Sequence, residues 1–238
     1  MPEITARTAL VTGAAGGIGG AIADRFESDG WNVFRFDVGI SDSGRCVCGD
    51  VRSEQDWTSV ASRIDGEIGR LDVLVNNAGI LRECLVADTT LDTWNDLIGV
   101  NLTGTFLGCR TMLPLLRRGN SPTILNMGSI DALKGSNGHS AYAATKGGIV
   151  SMARALALEL APERIRVNTL CPGTVETGML SAQLGNPLNA GLDKVAQHPL
   201  GRLSTTEDQA SAAAFLCSAE ADFITGVALS VDGGRAIK

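Results

Sequence analysis

Aromatic residues are scarce in this chain of 238 residues: they make up 4 % of it, and tyrosine occurs once, at Tyr142. Histidine occurs only as His139 and His198, and no His/Cys cluster has metal-ligand spacing, so no metal site is expected. The six cysteines (Cys46, Cys48, Cys84, Cys109, Cys171, Cys217) lie scattered in apolar segments without Cys-x-x-Cys spacing, which reads as buried thiols. A formal net charge of -6 leaves no basic footprint for nucleic acid, whose phosphates require clustered Lys and Arg. No apolar stretch reaches the roughly 20 residues needed to cross a bilayer, and Met1–Arg7 lacks the apolar core of a signal peptide. A cytoplasmic protein with no membrane partner is expected. Polar low-complexity tracts are missing too, which argues against disorder.

What the chain does have is 44 % apolar residues spread along its whole length, enough for one large core; one domain over residues 1–238 is expected. Short apolar runs read as buried strands at Thr8–Val11, Val33–Phe36, Leu71–Val75, Thr123–Met127, Ile165–Leu170 and Val227–Val231, with a weaker one at Cys46–Cys48. Between them, apolar residues at three- and four-residue spacing predict helices over Ile18–Ser28, Glu54–Ile68, Leu102–Leu116, Ala141–Leu160 and Glu207–Ser218, with Ser53 and Thr206 placed as caps. Alternating strands and helices predict an α/β fold, a doubly wound parallel sheet of the Rossmann type with helices on both faces. Ligands in such a sheet bind beyond the carboxyl ends of the strands, so chemistry is sought there.

The first such end is Thr12-Gly13-Ala14-Ala15-Gly16-Gly17-Ile18-Gly19, with a helix starting inside it. Gly13, Gly17 and Gly19 allow a tight turn and close approach of a pyrophosphate to helix N–H groups, with Ile18 beside it; alone, such a turn is a weak signal. Asp37 ends the second strand 18 residues beyond Gly19. A carboxylate there accepts the ribose hydroxyls of NAD and repels the 2′-phosphate of NADP, and no Lys or Arg lies between Thr12 and Gly20 to offset that charge, so NAD is favoured. The competing reading of Asp37 is a turn before Gly39. Asp50 and Val51 are expected to border the adenine, and Asn77, Ala78 and Gly79 follow the fourth strand with room for close backbone approach; each is also a common turn sequence.

Tyr142 and Lys146 are four apart on a helical stretch and share one face. An ammonium beside a phenol favours the phenolate, lowering its pKa from about 10 towards a working general base. Ser129 follows the fifth strand, where a hydroxyl can steady a substrate oxygen; a turn or cap serine is the bland alternative.

Together these residues resemble the short-chain dehydrogenase/reductase family, over nearly the whole chain. Thr12–Gly19 is similar to its cofactor loop, Asn76-Asn77-Ala78-Gly79 to its sheet motif, and Asn101, Ser129, Tyr142 and Lys146 to its catalytic tetrad. Pro172-Gly173-Thr174-Val175-Glu176-Thr177 is similar to the segment that holds the nicotinamide carboxamide, and Thr225-Gly226 and Val231–Gly234 to its last strand region. Gly16 and Gly20 depart from the pattern, replacing larger polar residues. The resemblance implies that Tyr142 exchanges a proton with a secondary alcohol or ketone, that Ser129 steadies its oxygen, and that Lys146 also holds the nicotinamide ribose. Asn101 would bind a water in the proton relay. It further implies a homo-oligomer, a tetramer more than a dimer, paired through Leu102–Leu116 and Ala141–Leu160.

An NAD-dependent alcohol dehydrogenase or ketoreductase acting on a small-molecule substrate is the leading expectation. A 3-oxoacyl carrier-protein reductase is the rival enzyme, which Asp37 disfavours; a non-catalytic NAD-binding redox sensor is the rival from another class, which an intact Ser129, Tyr142 and Lys146 disfavours. The substrate pocket is expected from Leu81 and Arg82, from Asp131–His139, and from a mobile loop at 177–200 rich in glycine and polar residues.

Overall fold

The computed structural model describes residues 6–185 and 193–238. Seven strands, β1 (Thr8–Thr12), β2 (Asn32–Asp37), β3 (Cys46–Cys48), β4 (Val73–Asn76), β5 (Thr123–Met127), β6 (Arg166–Pro172) and β7 (Ala228–Val231), form one sheet in the order β3-β2-β1-β4-β5-β6-β7. Every pairing is parallel. Helices α1 (Gly17–Ser28), α2 (Glu54–Glu67), α3 (Leu91–Leu97), α4 (Gly104–Leu116), α5 (Ser140–Leu160), α6 (Gly178–Leu184) and α7 (Thr206–Cys217) connect them. The expected doubly wound architecture is the one found.

Strand side chains alternate between two cores. Leu10, Leu74 and Ile124 face Trp57, Val60, Met112, Leu116 and Ala153 from α2, α4 and α5. Ala9, Val11, Val73, Val75 and Leu125 face Ile22, Phe26, Ala210 and Ala213 from α1 and α7. Coverage on both faces explains why the strands read as unbroken apolar runs.

Several boundaries differ from the sequence reading. Leu71 precedes β4 because its N–H bonds to Leu115 O at the end of α4 instead of joining the ladder. Ser53 caps α2 as expected, but α7 is capped by Thr205, not Thr206, in a reciprocal box with Asp208. Helix α3 was not expected, and α6 occupies the start of the expected loop at 177–200. Residues 186–192 of that loop lie outside the described residues, and the expectation of mobility with them. Cys109, Cys171 and Cys217 are buried thiols, whereas Cys48 is exposed. Among the described residues no helix is long and apolar enough to cross a membrane, and no group of side chains is arranged to hold a metal ion.

Candidate active site

The order of strands reverses between β1 and β4, so their carboxyl ends diverge and leave a crevice. Packing explains the glycines that line it. Gly13 has a φ of 65°, and a Cβ there would stand 2.7 Å from Asn77 Nδ2; a Cβ on Gly19 would stand 2.2 Å from Gly13 O. The Asn77 amide donates to Thr12 O at 3.0 Å and to Gly13 O at 3.1 Å, while Thr12 Oγ1 accepts from the N–H groups of Asn77 and Ala78, each at 2.9 Å. Thr12, which the sequence reading passed over, thereby ties the two strand ends together.

Helix α1 starts against this turn with no side-chain cap and no acidic residue in its first turn. Its uncapped N–H groups and the positive end of its dipole suit an anion. At the end of β2, Asp37 accepts from Ala15 N at 3.0 Å and Gly39 N at 2.8 Å, one bond to each carboxylate oxygen. A carboxylate has about four lone-pair sites, so acceptor capacity remains for a ligand. The turn reading of Asp37 and the ligand reading are thus compatible.

A single cavity of about 420 Å³ runs from Asp37, Gly13, Gly17 and Ile18 past Asn77, Ala78 and Gly79 to Ser129, Tyr142 and Lys146, with Pro172, Gly173, Val175 and Thr177 along its wall. Four expected residues stand off that wall. Gly19 is packed beneath Gly13. Asp50 is turned to Arg52, whose guanidinium holds its carboxyl below the ordinary range. Val51 is buried, with its carbonyl accepting from the Trp57 indole at 2.8 Å. Asn101 is the fourth.

Tyr142 and Lys146 share a face of α5, and Lys146 Nζ stands 5.7 Å from the tyrosine ring centroid. The ammonium donates to Met127 O at 2.7 Å, and burial pushes its pKa down to about 8. Tyr142 departs from expectation: burial and then the Asp131 carboxylate push its pKa well up, against the opposing hydrogen bond from Ser129. Desolvation of the phenolate outweighs the Ser129 hydrogen bond, and the Lys146 ammonium points to the end of β5. Ser129 also caps the short 3-10 turn Ile130–Ala132, its hydroxyl accepting from Asp131 N at 3.1 Å, so the cap reading and the site reading both hold.

Asn101 lies in a π-helical turn, Ile98–Thr103, that leads into α4. Such bulges are frequent at functional sites. Its amide is held by Ile80, accepting from Ile80 N at 2.8 Å and donating to Ile80 O at 3.0 Å, and it also donates to Thr145 Oγ1 at 3.1 Å. The side chain fastens the strand end Asn77–Ile80 to α5, beside Gly79 and Lys146.

Beyond Tyr142 the cavity wall is polar. His139 Nδ1 is 2.6 Å from Asp131 and its Nε2 is 2.8 Å from Glu83, and Ser136 donates to Asp131 at 2.5 Å. Burial works to lower the His139 pKa, but the two carboxylate bonds outweigh it and hold it above the ordinary value. Leu81, Lys194 and Arg235 complete this end, while Arg82 is exposed and turned to the carbonyl of Leu81. The sequence reading missed Arg235, which directly follows the Val231–Gly234 segment but is not itself part of that motif.

Residues 13–236 match the family model described as enoyl-(acyl carrier protein) reductase. The trans-4-hydroxycyclohexanecarboxylate dehydrogenase of Sinomonas cyclohexanicum is 34% identical over 98% of this chain and 94% of its own. The chain is a short-chain dehydrogenase/reductase. Among solved structures of the family, the ligand-free aldohexose dehydrogenase of Thermoplasma acidophilum superposes with a TM-score of 0.90 at 33% identity, covering 98% of this chain and 95% of that one. The 3-ketoacyl-(acyl-carrier-protein) reductase of Brucella melitensis, solved with NADH, gives 0.88 at 36% identity over 97% and 98%. Short-chain dehydrogenase/reductases are oxidoreductases that use nicotinamide cofactors, and the cradle of α1 and the polar end at Tyr142 occupy one cavity here as that chemistry requires.

Proposed function

We propose that the whole chain acts as one domain that moves a hydride between NAD(H) and the carbon of a secondary alcohol or ketone. The observation that carries this reading is the single cavity joining an uncapped helix start and Asp37 to Ser129, Tyr142 and Lys146. The bound nicotinamide supplies the hydride acceptor or donor; the protein supplies orientation and the proton. The turn Gly13–Gly17 and the start of α1 hold the pyrophosphate, and Asp37 the adenosine ribose. Gly79, Pro172, Gly173, Val175 and Thr177 border the nicotinamide.

Tyr142 exchanges the proton with the substrate oxygen. Its raised pKa keeps the phenol protonated, the form that donates to a ketone, and the Ser129 hydroxyl steadies the same oxygen. Lys146 keeps its proton below about pH 8 and places a positive charge behind the phenol, favouring loss of its proton in the oxidative direction. Asn101 acts by fixing the strand end next to Lys146. An intact donor set of this kind has no use in a redox sensor.

NAD is the preferred cofactor because the cations on the cavity wall stand away from Asp37: Lys146 at Met127, and Lys194 and Arg235 in the field of Asp131. A 2′-phosphate beside Asp37 meets repulsion with no counter-charge. The same repulsion weighs against an NADPH-dependent acyl carrier-protein reductase. The Asp37→Ala variant is expected to lower the NAD over NADP ratio of kcat/KM by about 10–100-fold, mainly through gain with NADP. An unchanged ratio, or an equal loss with both cofactors, contradicts the assignment.

A further inference from the structure

Arg235 is a cation on the wall of the substrate end whose guanidinium makes no salt bridge among the described residues. It follows the last strand in a single 3-10 turn, Arg235–Ile237, and its backbone is fixed on both sides. Its N–H donates to Asp232 O at 3.1 Å, and its carbonyl accepts from Lys134 Nζ at 3.0 Å. The side chain makes one hydrogen bond, from Nη1 to Thr174 Oγ1 at 2.6 Å, and takes part in no ion pair among the described residues.

The acids nearest to it are already engaged. Asp131 accepts from Ser136 and is paired with His139. Asp232 accepts from the backbone amides of Gly234 at 3.0 Å and Ala236 at 2.6 Å. Arginine is half-buried here at the cost of desolvation, which lowers its pKa against the opposing fields of Asp131 and Asp232. A guanidinium fork that keeps donors unused on a cavity wall matches the geometry of a carboxylate or a similar oxyanion. Lys194 on the same wall adds positive field.

We propose that Arg235 binds an anionic group of the substrate, so that this enzyme acts on a secondary alcohol or ketone that also carries a carboxylate. The inference rests on the oxidoreductase reading, because it places the carbinol at Tyr142 and the anion at the far end of the same cavity. Thr174 orients the guanidinium, and the anion takes the donors that no described carboxylate bonds.

The test separates binding from turnover. Cyclohexanecarboxylate has an anion but no hydroxyl to oxidise, and cyclohexanecarboxamide is its uncharged counterpart; both are titrated by calorimetry into the protein saturated with NADH. Wild type is expected to bind the carboxylate about 10–100-fold more tightly than the amide, the range for charge-assisted hydrogen bonds. Arg235→Gln, which can still bond Thr174, is expected to erase that difference, and Arg235→Lys to keep part of it. Affinity for NADH and oxidation of an uncharged secondary alcohol should stay within a few-fold in both variants. Equal binding of acid and amide by wild type overturns the proposal whatever the variants do, and so does no binding of either, or a difference that survives Arg235→Gln. Failure of the oxidoreductase reading shows separately, as no reduction of NAD with any alcohol of a neutral and acidic panel.

Discussion

His139 shows how one side chain in this site is held by charges that the sequence does not place together. It faces Asp131 and Glu83 through its two nitrogens, packs edge-on against the Tyr142 ring at 6.0 Å, and stands near Lys194 and Arg235 across the cavity. Its pKa is raised above 6.5 in the folded state, so the stabilisation it contributes is complete below about pH 6.5. That contribution is lost as pH rises through the raised value. Thermal unfolding of wild type and His139→Asn should therefore differ most near pH 6, by several degrees, and converge towards pH 9. A difference that does not change with pH would mean that His139 is not held protonated. Tyr142, Lys146 and Ser129 were legible because a sole tyrosine with a lysine one helical turn on, and a serine closing a strand, are local signals. Glu83 reaches His139, and Arg235 the cavity, only through the tertiary fold; the sequence marked their neighbours Leu81, Arg82 and Val231–Gly234 but not these two side chains. The burial that raises the Tyr142 pKa is hidden for a related reason: spacing shows the ammonium one turn on but not the desolvation of the phenol.

At the level of elements, long helices were read well and short ones were not. Helix α3 has seven residues and owes its start to Thr90, whose hydroxyl accepts from Thr93 N at 3.1 Å. One turn and a half gives too little periodicity to register. Helix α6 was hidden by Gly178 and the glycines that follow it, although Met179–Leu184 are mostly good helix formers. The two long helices carry a consequence of their own. Leu158 on α5 is 80% exposed and Phe106 on α4 is 46% exposed, and we propose these faces as the contacts of a tetramer. Wild type is expected at a mass near four times 24.7 kDa in solution by light scattering. Leu158→Glu replaces about 1.5–3 kcal/mol of apolar burial per copy with a buried charge, and should lower the mass to that of a dimer or monomer. A monomeric wild type, or a tetrameric variant, contradicts this pairing.

Over the whole molecule, the sheet was readable because each parallel strand buried on both faces is a continuous apolar run and each crossover is a helix. The order β3-β2-β1-β4-β5-β6-β7 then dictates the rest, since its reversal opens the crevice between β1 and β4 that holds the glycine turn. Two carboxyl ends further along, β5 delivers Ser129 and anchors Lys146 through Met127, so Ser129, Tyr142 and Lys146 line the same cavity as the glycine turn. Asp50 and Val51 also follow a strand end, where Asp50 is paired with Arg52 and the Val51 carbonyl accepts from Trp57. In the proposed reaction this cavity couples hydride transfer to a proton on Tyr142. The most direct measurement is kcat for NADH formation from the best secondary alcohol, compared between wild type and Tyr142→Phe, with NADH affinity measured alongside. Removal of one oxygen should lower kcat by about 10²–10⁴-fold and leave NADH affinity within a few-fold. A variant that turns over within a few-fold of wild type would remove Tyr142 from the proton transfer.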